Sequence, residues 1–148
     1  MKIEKISDIY EVLKGYTRKK RLVVAFANDS HSIEAVYMAV KAGLVEGILV
    51  GDTETIQGVC KENGCDESCF KIVHEPNDVR GAETAVEMIR NGEADVIMKG
   101  LVSTDKYMRA ILNKERGLVA PNAILSHVTV MECSSYHKLL TVSDVAVI

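Results

Sequence analysis

Short apolar segments alternate with longer segments whose apolar residues recur at helical spacing, and this alternation constrains the fold more than any other feature. Strands that are apolar on both sides are buried on both faces, and intervening helices supply the crossovers that parallel strands need. We therefore predict an α/β fold, a three-layer domain with a mainly parallel sheet. The predicted strands are residues 22–26, 47–51, 70–74 and 95–99.

Capping residues and glycines give the expected ends of the helices. Serine, threonine and aspartate suit the first positions of a helix, while glycine suits the position just past its end. We expect helices to start at Ser7, after the turn of residues 27–30, at Thr53, at Asp78, and at Ser103 or Thr104. They are expected to end near residues 42, 63, 91 and 113.

The last thirty or so residues differ from the rest of the chain. The runs ILSHVTVM and KLLTVSDVAVI alternate apolar and polar residues, which predicts two strands that either form an antiparallel hairpin or extend away from the sheet. A chain of 148 residues fits one domain. Because a fold seldom closes on a strand-like run such as VSDVAVI, we expect a fragment of a longer protein.

Composition excludes several classes of function. The net charge of -3 argues against a nucleic-acid partner, and no leader or apolar run suited to a membrane is seen. The four cysteines are expected to be free thiols in a reduced, cytoplasmic protein. Their spacing differs from that of zinc sites, and the histidines form no metal-binding motif, so we predict no metal.

The segment ADVIMKGLVST, residues 94–104, carries the strongest functional signal. A strand runs into Lys99 and Gly100, and Ser103 and Thr104 follow at the start of a helix. A cation, two hydroxyls and free helix amides together suit a phosphate or another anion. The alternative for the hydroxyls is simple helix capping, and for the lysine a solvated surface charge.

Other polar residues also follow predicted strands, where ligands of parallel sheets bind. Asn28 and Asp29 form the first strand-to-helix turn, and either helix capping or substrate contact accounts for them. His127 stands in an alternating apolar run, where a hydrogen-bonded structural histidine is commoner than a catalyst. Cys133 is expected to be half-buried. No residue is an evident catalytic base, so the catalytic residues stay unknown.

Three stretches of the chain resemble the phosphate acetyl/butyryltransferase family, in particular the amino-terminal domain of its butyryl-type members. They are VVAFANDSHSIEAVYMAVKAGLVEGILVGD, MKGLVSTDKYMRAILNKERGL and LSHVTVMECSSYHKLLTVSDVAV. The resemblance implies two α/β domains of the isocitrate/isopropylmalate dehydrogenase-like type, with the active site in the cleft between them. Residues 1–148 would then be a single α/β domain, the amino-terminal portion of a two-domain acyltransferase, with an incomplete active site.

The resemblance also implies an activity and its partners. The reaction is exchange of an acyl group, here butyryl or a related short acyl group, between coenzyme A and inorganic phosphate. Coenzyme A is a substrate, and no cofactor is bound covalently. A homo-oligomer, or pairing with the missing second domain, is expected. The alternatives are an isolated phosphate- or coenzyme A-binding or regulatory domain without turnover, and a dehydrogenase of the related fold, for which no acidic cluster is seen.

Site residues follow from the same resemblance. Ser103 and Thr104 match the family's hydroxyl pair, Arg109 matches an arginine associated with substrate anions, and Lys99 and Gly100 match the butyryl-type version. Two further blocks are expected to border the cleft or the second domain. They contribute Ser126 and His127, and Asp144, which the family follows four residues later by asparagine where this chain has Ile148.

Overall fold

The computed structural model describes residues 2–144. The chain divides into two compact units. Residues 19–119 form one, here called the parallel-sheet unit, and residues 1–18 with 120–148 form the other, here called the terminal unit. Residues 145–148, which include the end of the predicted last strand and Ile148, lie outside the described residues. That residues 1–148 form one domain of a two-domain acyltransferase stays a prediction.

Helices and strands alternate through most of the chain, as the sequence predicts. The helices are α1 Ile6–Lys14, α2 Ser30–Lys41, α3 Thr53–Glu62, α4 Asp78–Arg90 and α5 Thr104–Leu112, with a 3-10 turn at Glu67–Cys69. The strands are β1 Lys20–Ala25, β2 Val45–Gly51, β3 Phe70–His74, β4 Val96–Lys99, β5 Val128–Met131 and β6 Leu140–Ser143.

The parallel-sheet unit contains a four-stranded sheet in the order β3-β2-β1-β4, with all three neighbouring pairs parallel. Each of the four predicted strands is present. β3 has the predicted bounds, whereas β1 begins two residues earlier than predicted and ends one residue earlier. The predicted α/β class with a mainly parallel sheet is therefore confirmed, and the dehydrogenase-like label stays a prediction.

Alternate residues of the central strands pack into two separate apolar cores. On one face of the sheet, Val24 and Leu49 are fully buried in the same cluster as Ile33 of α2 and Ile56 of α3. On the other face, Val23 and Val50 pack with residues of α4 and α5. Helices thus cover both faces and give the three predicted layers. Burial of each such side chain contributes about 1.5 to 3 kcal/mol.

The helix starts were predicted correctly in part. Ser103 is the N-cap of α5, as expected. At α3 the helix starts at Thr53, as expected, but Thr53 is not its cap, because the preceding Asp52 is the cap and its carboxylate accepts a hydrogen bond from the Thr55 amide. At α1 the expectation of Ser7 is wrong, because the helix starts one residue earlier and the Asp8 carboxylate reaches back to the Lys5 amide, at 2.9 Å.

The terminal unit contains α1 and an antiparallel pair of strands, β5 and β6. Val128 lies opposite Ser143, and Met131 lies opposite Leu140. The Ile6 amide of α1 donates to a Glu132 carboxylate oxygen, at 2.8 Å, just after β5. The prediction that the terminal strands are antiparallel is confirmed. Within residues 2–144, the structure has no helix long and apolar enough to cross a membrane.

A close approach of two backbones fixes the loop that follows β4. The Gly100 amide donates to the Ala25 carbonyl oxygen at 3.0 Å, and the Leu101 amide donates to the Phe26 carbonyl oxygen at 2.8 Å. A Cβ atom on Gly100 would lie 2.9 Å from the Ala25 oxygen and closer still to the Phe26 oxygen. Only glycine therefore lets this loop lie against the end of β1.

Replacing this glycine is expected to destabilise the protein. Gly100→Ala puts a methyl group against two carbonyl oxygens, so we expect the free energy of unfolding to fall by about 1 to 3 kcal/mol in chemical denaturation. Gly58→Ala is the matched control, because a Cβ on Gly58 in α3 has no heavy atom within 4 Å. The control should gain about 0.5 to 1 kcal/mol from helix propensity. Equal stability of the two variants would contradict the close-approach argument.

An ion pair joins β1 and β4 at the other end of the strands. The Arg21 guanidinium donates from Nε and Nη2 to the two carboxylate oxygens of Asp95, at 3.0 and 3.2 Å. The Arg21 amide donates to the same carboxylate at 2.9 Å. These hydrogen bonds hold the pKa of Asp95 well below its usual range. Two parallel charge-assisted bonds of this kind are stronger than a single contact between exposed charges.

This pair predicts a pH-dependent contribution to stability. Because the pKa of Asp95 is lower in the folded protein, its contribution is present above the unfolded pKa of about 4 and is lost as the pH falls through the folded pKa. Asp95→Asn should therefore lower the melting temperature near neutral pH, and the difference from wild type should shrink as the pH falls below about 4. Glu62→Gln, an exposed charge in α3, is the control. A difference that does not change with pH would refute this account.

Candidate functional site

The loops that follow the four parallel strands meet at one edge of the sheet, here called the carboxyl edge. Backbone hydrogen bonds join neighbouring loops. The Ala27 amide donates to the Val50 carbonyl oxygen at 2.7 Å, and the Glu75 amide donates to the Gly51 carbonyl oxygen at 2.8 Å. With the Gly100 contact to β1, these bonds connect all four strand ends. The polar residues predicted to follow the strands therefore share this edge.

Residues 99–104, here called the anion turn, lead from β4 into α5. The Lys99 side chain is exposed, and its Nζ lies 3.5 Å from the Gly100 carbonyl oxygen, so the ammonium folds back over the turn. Val102 is 4% exposed and anchors the turn in the core. Ser103 and Thr104 are both exposed at the start of α5. The structure thus brings together Lys99, Gly100, Ser103 and Thr104.

The four helix N-termini at the carboxyl edge differ in charge. Aspartate carboxylates cap α2 and α3, whereas α4 has the neutral cap Asn77, followed by Asp78 as its first residue. The cap of α5 is neutral, because the Ser103 hydroxyl oxygen accepts from the Lys106 amide at 3.3 Å. Asp105 in the first turn of α5 is paired with Arg109, with 3.0 Å between Oδ2 and Nε. Since a cap carboxylate repels an anion, the neutral caps make α4 and α5 more favourable for one than α2 and α3. Of these two, α5 follows a strand that ends in Lys99, whereas α4 follows Glu75.

Asn28 and Asp29 hold the carboxyl edge together. The Asn28 side-chain oxygen accepts from the Asp52 amide at 3.0 Å and contacts the position that a Cβ on Gly51 would occupy. The Asp29 carboxylate accepts from the Ser32 amide at 2.9 Å and caps α2. Its other oxygen, Oδ1, is buried without a hydrogen-bond partner among residues 2–144. The capping interpretation holds for Asp29, and substrate contact by either residue stays a prediction.

His74 also lies at the carboxyl edge, although sequence reasoning gave it no role. Its Nδ1 accepts from the Thr53 amide at 3.2 Å and lies 3.1 Å from the Thr53 hydroxyl. Because Nδ1 accepts from an amide, the ring proton of the neutral form is assigned to Nε2. Its position as the last residue of a predicted strand, where ligands of parallel sheets bind, could have identified His74 as a candidate.

Arg109 points away from the turn itself and into a groove. It is exposed on α5 and lines a groove of about 870 Å³ between α4 and α5. Its guanidinium is bonded to Asp105, one helical turn earlier. The expected role of Arg109 toward substrate anions stays a prediction. Three further arginines line the same groove, Arg80, Arg90 and Arg116.

Sequence reasoning also missed an ion pair between the first turns of α4 and α5. The Lys106 ammonium lies 2.6 Å from the Asp78 carboxylate. Its hydrogen bond is the main reason why the pKa of Asp78 is below its ordinary value. Twenty-eight residues separate the two in sequence, so no local pattern indicates the contact.

Ser126 and His127 belong to the terminal unit, whereas the other seven predicted site residues belong to the parallel-sheet unit. Ser126 is exposed just before β5. The His127 carbonyl oxygen accepts from the Asp144 amide at 2.8 Å, and its ring Nε2 lies 3.4 Å from the Thr129 hydroxyl. Its Nδ1 is buried without a partner among the residues that the structure describes. A role for either residue at the cleft stays a prediction.

All four cysteines are free thiols, and they differ in environment. Burial raises the pKa of Cys60 to about 11, with the neighbouring Cys65 contributing. Cys133 is exposed, so the expectation that it is half-buried is wrong. It lies in the link between β5 and β6, two strands that are themselves largely exposed, and a hydrogen bond with Ser135 lowers its pKa. In the described part of the chain no three histidine, cysteine or acidic residues are grouped as metal ligands.

Comparison with known proteins identifies related chains. No protein-family model matches the sequence. A phosphate butyryltransferase from Clostridium acetobutylicum is 41% identical over 97% of this chain and 47% of its own length. A phosphate acetyltransferase from Thermotoga maritima is 33% identical over 94% of this chain and 46% of its own length.

Structural comparison agrees on the fold. A phosphotransacetylase from Streptococcus pyogenes superposes with a TM-score of 0.69 at 18% sequence identity, covering 93% of this chain and 50% of that one. The chain spans about half the length of the curated relatives that it matches. The resemblance seen in the sequence is confirmed: over nearly its whole length, this chain is a relative of the phosphate butyryltransferases and phosphate acetyltransferases.

Proposed function

We propose that this chain forms the phosphate-binding wall of a cytoplasmic phosphate acyltransferase, which exchanges a butyryl or related short acyl group between coenzyme A and inorganic phosphate. The observation that carries the proposal is the anion turn, in which Lys99 at the end of β4 is followed by two exposed hydroxyls at a helix N-terminus with a neutral cap. Similarity to phosphate butyryltransferase and phosphate acetyltransferase supports the reaction type.

The proposed reaction requires the turn to hold and orient a dianion. An oxygen of hydrogen phosphate attacks the thioester carbonyl carbon, the new carbon–oxygen bond forms, and the carbon–sulfur bond breaks. The phosphate proton passes to the departing sulfur, which leaves acyl phosphate and free coenzyme A. Lys99 supplies a positive charge, while Ser103, Thr104 and the first amides of α5 supply hydrogen-bond donors. Catalysis of this kind depends on positioning and on stabilising the developing oxyanion. No covalently bound cofactor is needed, since coenzyme A enters as a substrate.

This chain matches only about half the length of its relatives, which indicates where the rest of the proposed active site would come from. The matched region covers 47% of the Clostridium acetobutylicum relative, so the proposed active site includes a second wall from the remaining part of such a chain. We propose that a second domain or another subunit provides it. The same observation favours one alternative, an isolated domain that binds phosphate or coenzyme A, or regulates, without turnover.

An assay of residues 1–148 alone separates these functions. With butyryl-coenzyme A and phosphate, we expect thiol release at the uncatalysed rate, because a single wall does not position both substrates. Robust turnover by this polypeptide would refute the need for a second wall. Phosphate binding without turnover, even after mixing with a polypeptide that supplies the remaining half, would favour the binding domain.

The role of Lys99 is tested by phosphate binding. Lys99→Met removes the charge at the turn, and we expect phosphate affinity, measured by isothermal titration calorimetry, to fall by about threefold to tenfold at low ionic strength. The loss should diminish in about 0.5 M salt, because exposed charges are screened. Lys61→Met removes the charge of an exposed lysine in α3. It is the charge-matched control and should bind phosphate like wild type. Equal losses in both variants would show a general charge effect and contradict a site at the turn.

A further inference from the structure

The ion pair between Asp78 and Lys106 joins the two helix N-termini that lie side by side on one face of the sheet. Asp78 is the first residue of α4, and Lys106 is the third residue of α5. The ammonium and carboxylate are 2.6 Å apart, and the side chains are 43% exposed for the lysine and 29% exposed for the aspartate. The pair is therefore partly shielded from water, more so than the pair of Arg109 and Asp105, whose side chains are 79% and 69% exposed.

Lys106 is well placed to reach the anion turn if nothing restrains it. Side chains on a helix tilt toward its N-terminus, so a lysine in the first turn of α5 is directed toward the free amides of that turn. Its own amide already donates to the Ser103 hydroxyl oxygen. In the structure the ammonium is bonded to Asp78 on α4 instead. The carboxylate thus holds a cation that would otherwise strengthen the anion site.

The neighbouring charges do not take over this role. Asp105 is bonded to Arg109, one helical turn further along α5, and both line the groove between the helices, as do Glu75 and Arg80. Asp78 is the acidic group whose hydrogen bond with Lys106 is seen. Because the lysine side chain is still 43% exposed, the pair itself contributes little to stability, and its consequence is sought in what it does to the position of the ammonium.

We infer that Asp78 sets the phosphate affinity of the anion turn by restraining Lys106, an inference that rests on the proposed function. An exchange reaction must release an anionic acyl phosphate as well as bind phosphate. An interaction that stabilises bound substrate and bound product equally does not raise the turnover rate once the site is filled. Restraint of Lys106 keeps the dianion bound by Lys99 and neutral donors, so affinity stays moderate and release stays fast.

Phosphate titrations of charge variants test the inference. Asp78→Asn frees the ammonium, and we expect about threefold to tenfold tighter phosphate binding at low ionic strength, with the gain reduced in about 0.5 M salt. Asp78→Glu keeps the carboxylate and should bind like wild type. Lys106→Met should also bind like wild type, since the restrained lysine does not contact the anion. In the double variant Asp78→Asn/Lys106→Met, the gain should disappear.

Controls separate this inference from the proposed function. Glu62→Gln changes the net charge by the same amount on α3 and should leave phosphate affinity unchanged. If wild type binds phosphate but Asp78→Asn binds no more tightly, or if the gain survives in the double variant, the inference is overturned and the proposed site stands. If neither wild type nor Asp78→Asn binds phosphate, while both melt cooperatively, the proposed site fails and the inference with it.

Discussion

Burial of the central strands on both faces is the constraint on which the rest of the parallel-sheet unit depends. Val23 and Val24 are adjacent in β1, yet both are fully buried, each in a different apolar core. A strand of this kind needs helices above and below it, and the crossover helices make the strands parallel. Parallel strands in turn bring their carboxyl ends to one edge. The clustering of polar loops there thus follows from core packing.

Close contacts at two glycines then fix the loops at the carboxyl edge. Gly100 lies against the carbonyl oxygens at the end of β1, and Gly51 lies against the side chain of Asn28. A side chain at either glycine would collide with the atoms that lie against it. The anion turn is therefore held by the end of the neighbouring strand, so that Ser103 and Thr104 start from a fixed backbone. This is the kind of rigid support that a binding site on a loop requires.

The sequence predicted what local chemistry determines and missed what tertiary packing determines. The bounds of β3 and the cap at Ser103 follow from an apolar run and a helix signal, and both were predicted correctly. At α3 two adjacent residues were suitable caps, and the preference of the N-terminus for a carboxylate selected Asp52 over Thr53. The pair of Asp78 and Lys106 had no signal, because it depends on how α4 packs against α5.

Charge distribution at the carboxyl edge distinguishes one helix start from the others. Aspartate caps accept from the free amides of α2 and α3 and oppose an external anion there, and at α4 the neutral cap Asn77 is flanked by Glu75 and Asp78. At α5 the cap is a hydroxyl, and Lys99 adds a positive charge on the strand side. The same carboxylate that occupies the start of α4 also holds Lys106. Asp78 thus adds a negative charge at the start of α4 and, through the proposed restraint of Lys106, limits how tightly an anion is held at α5.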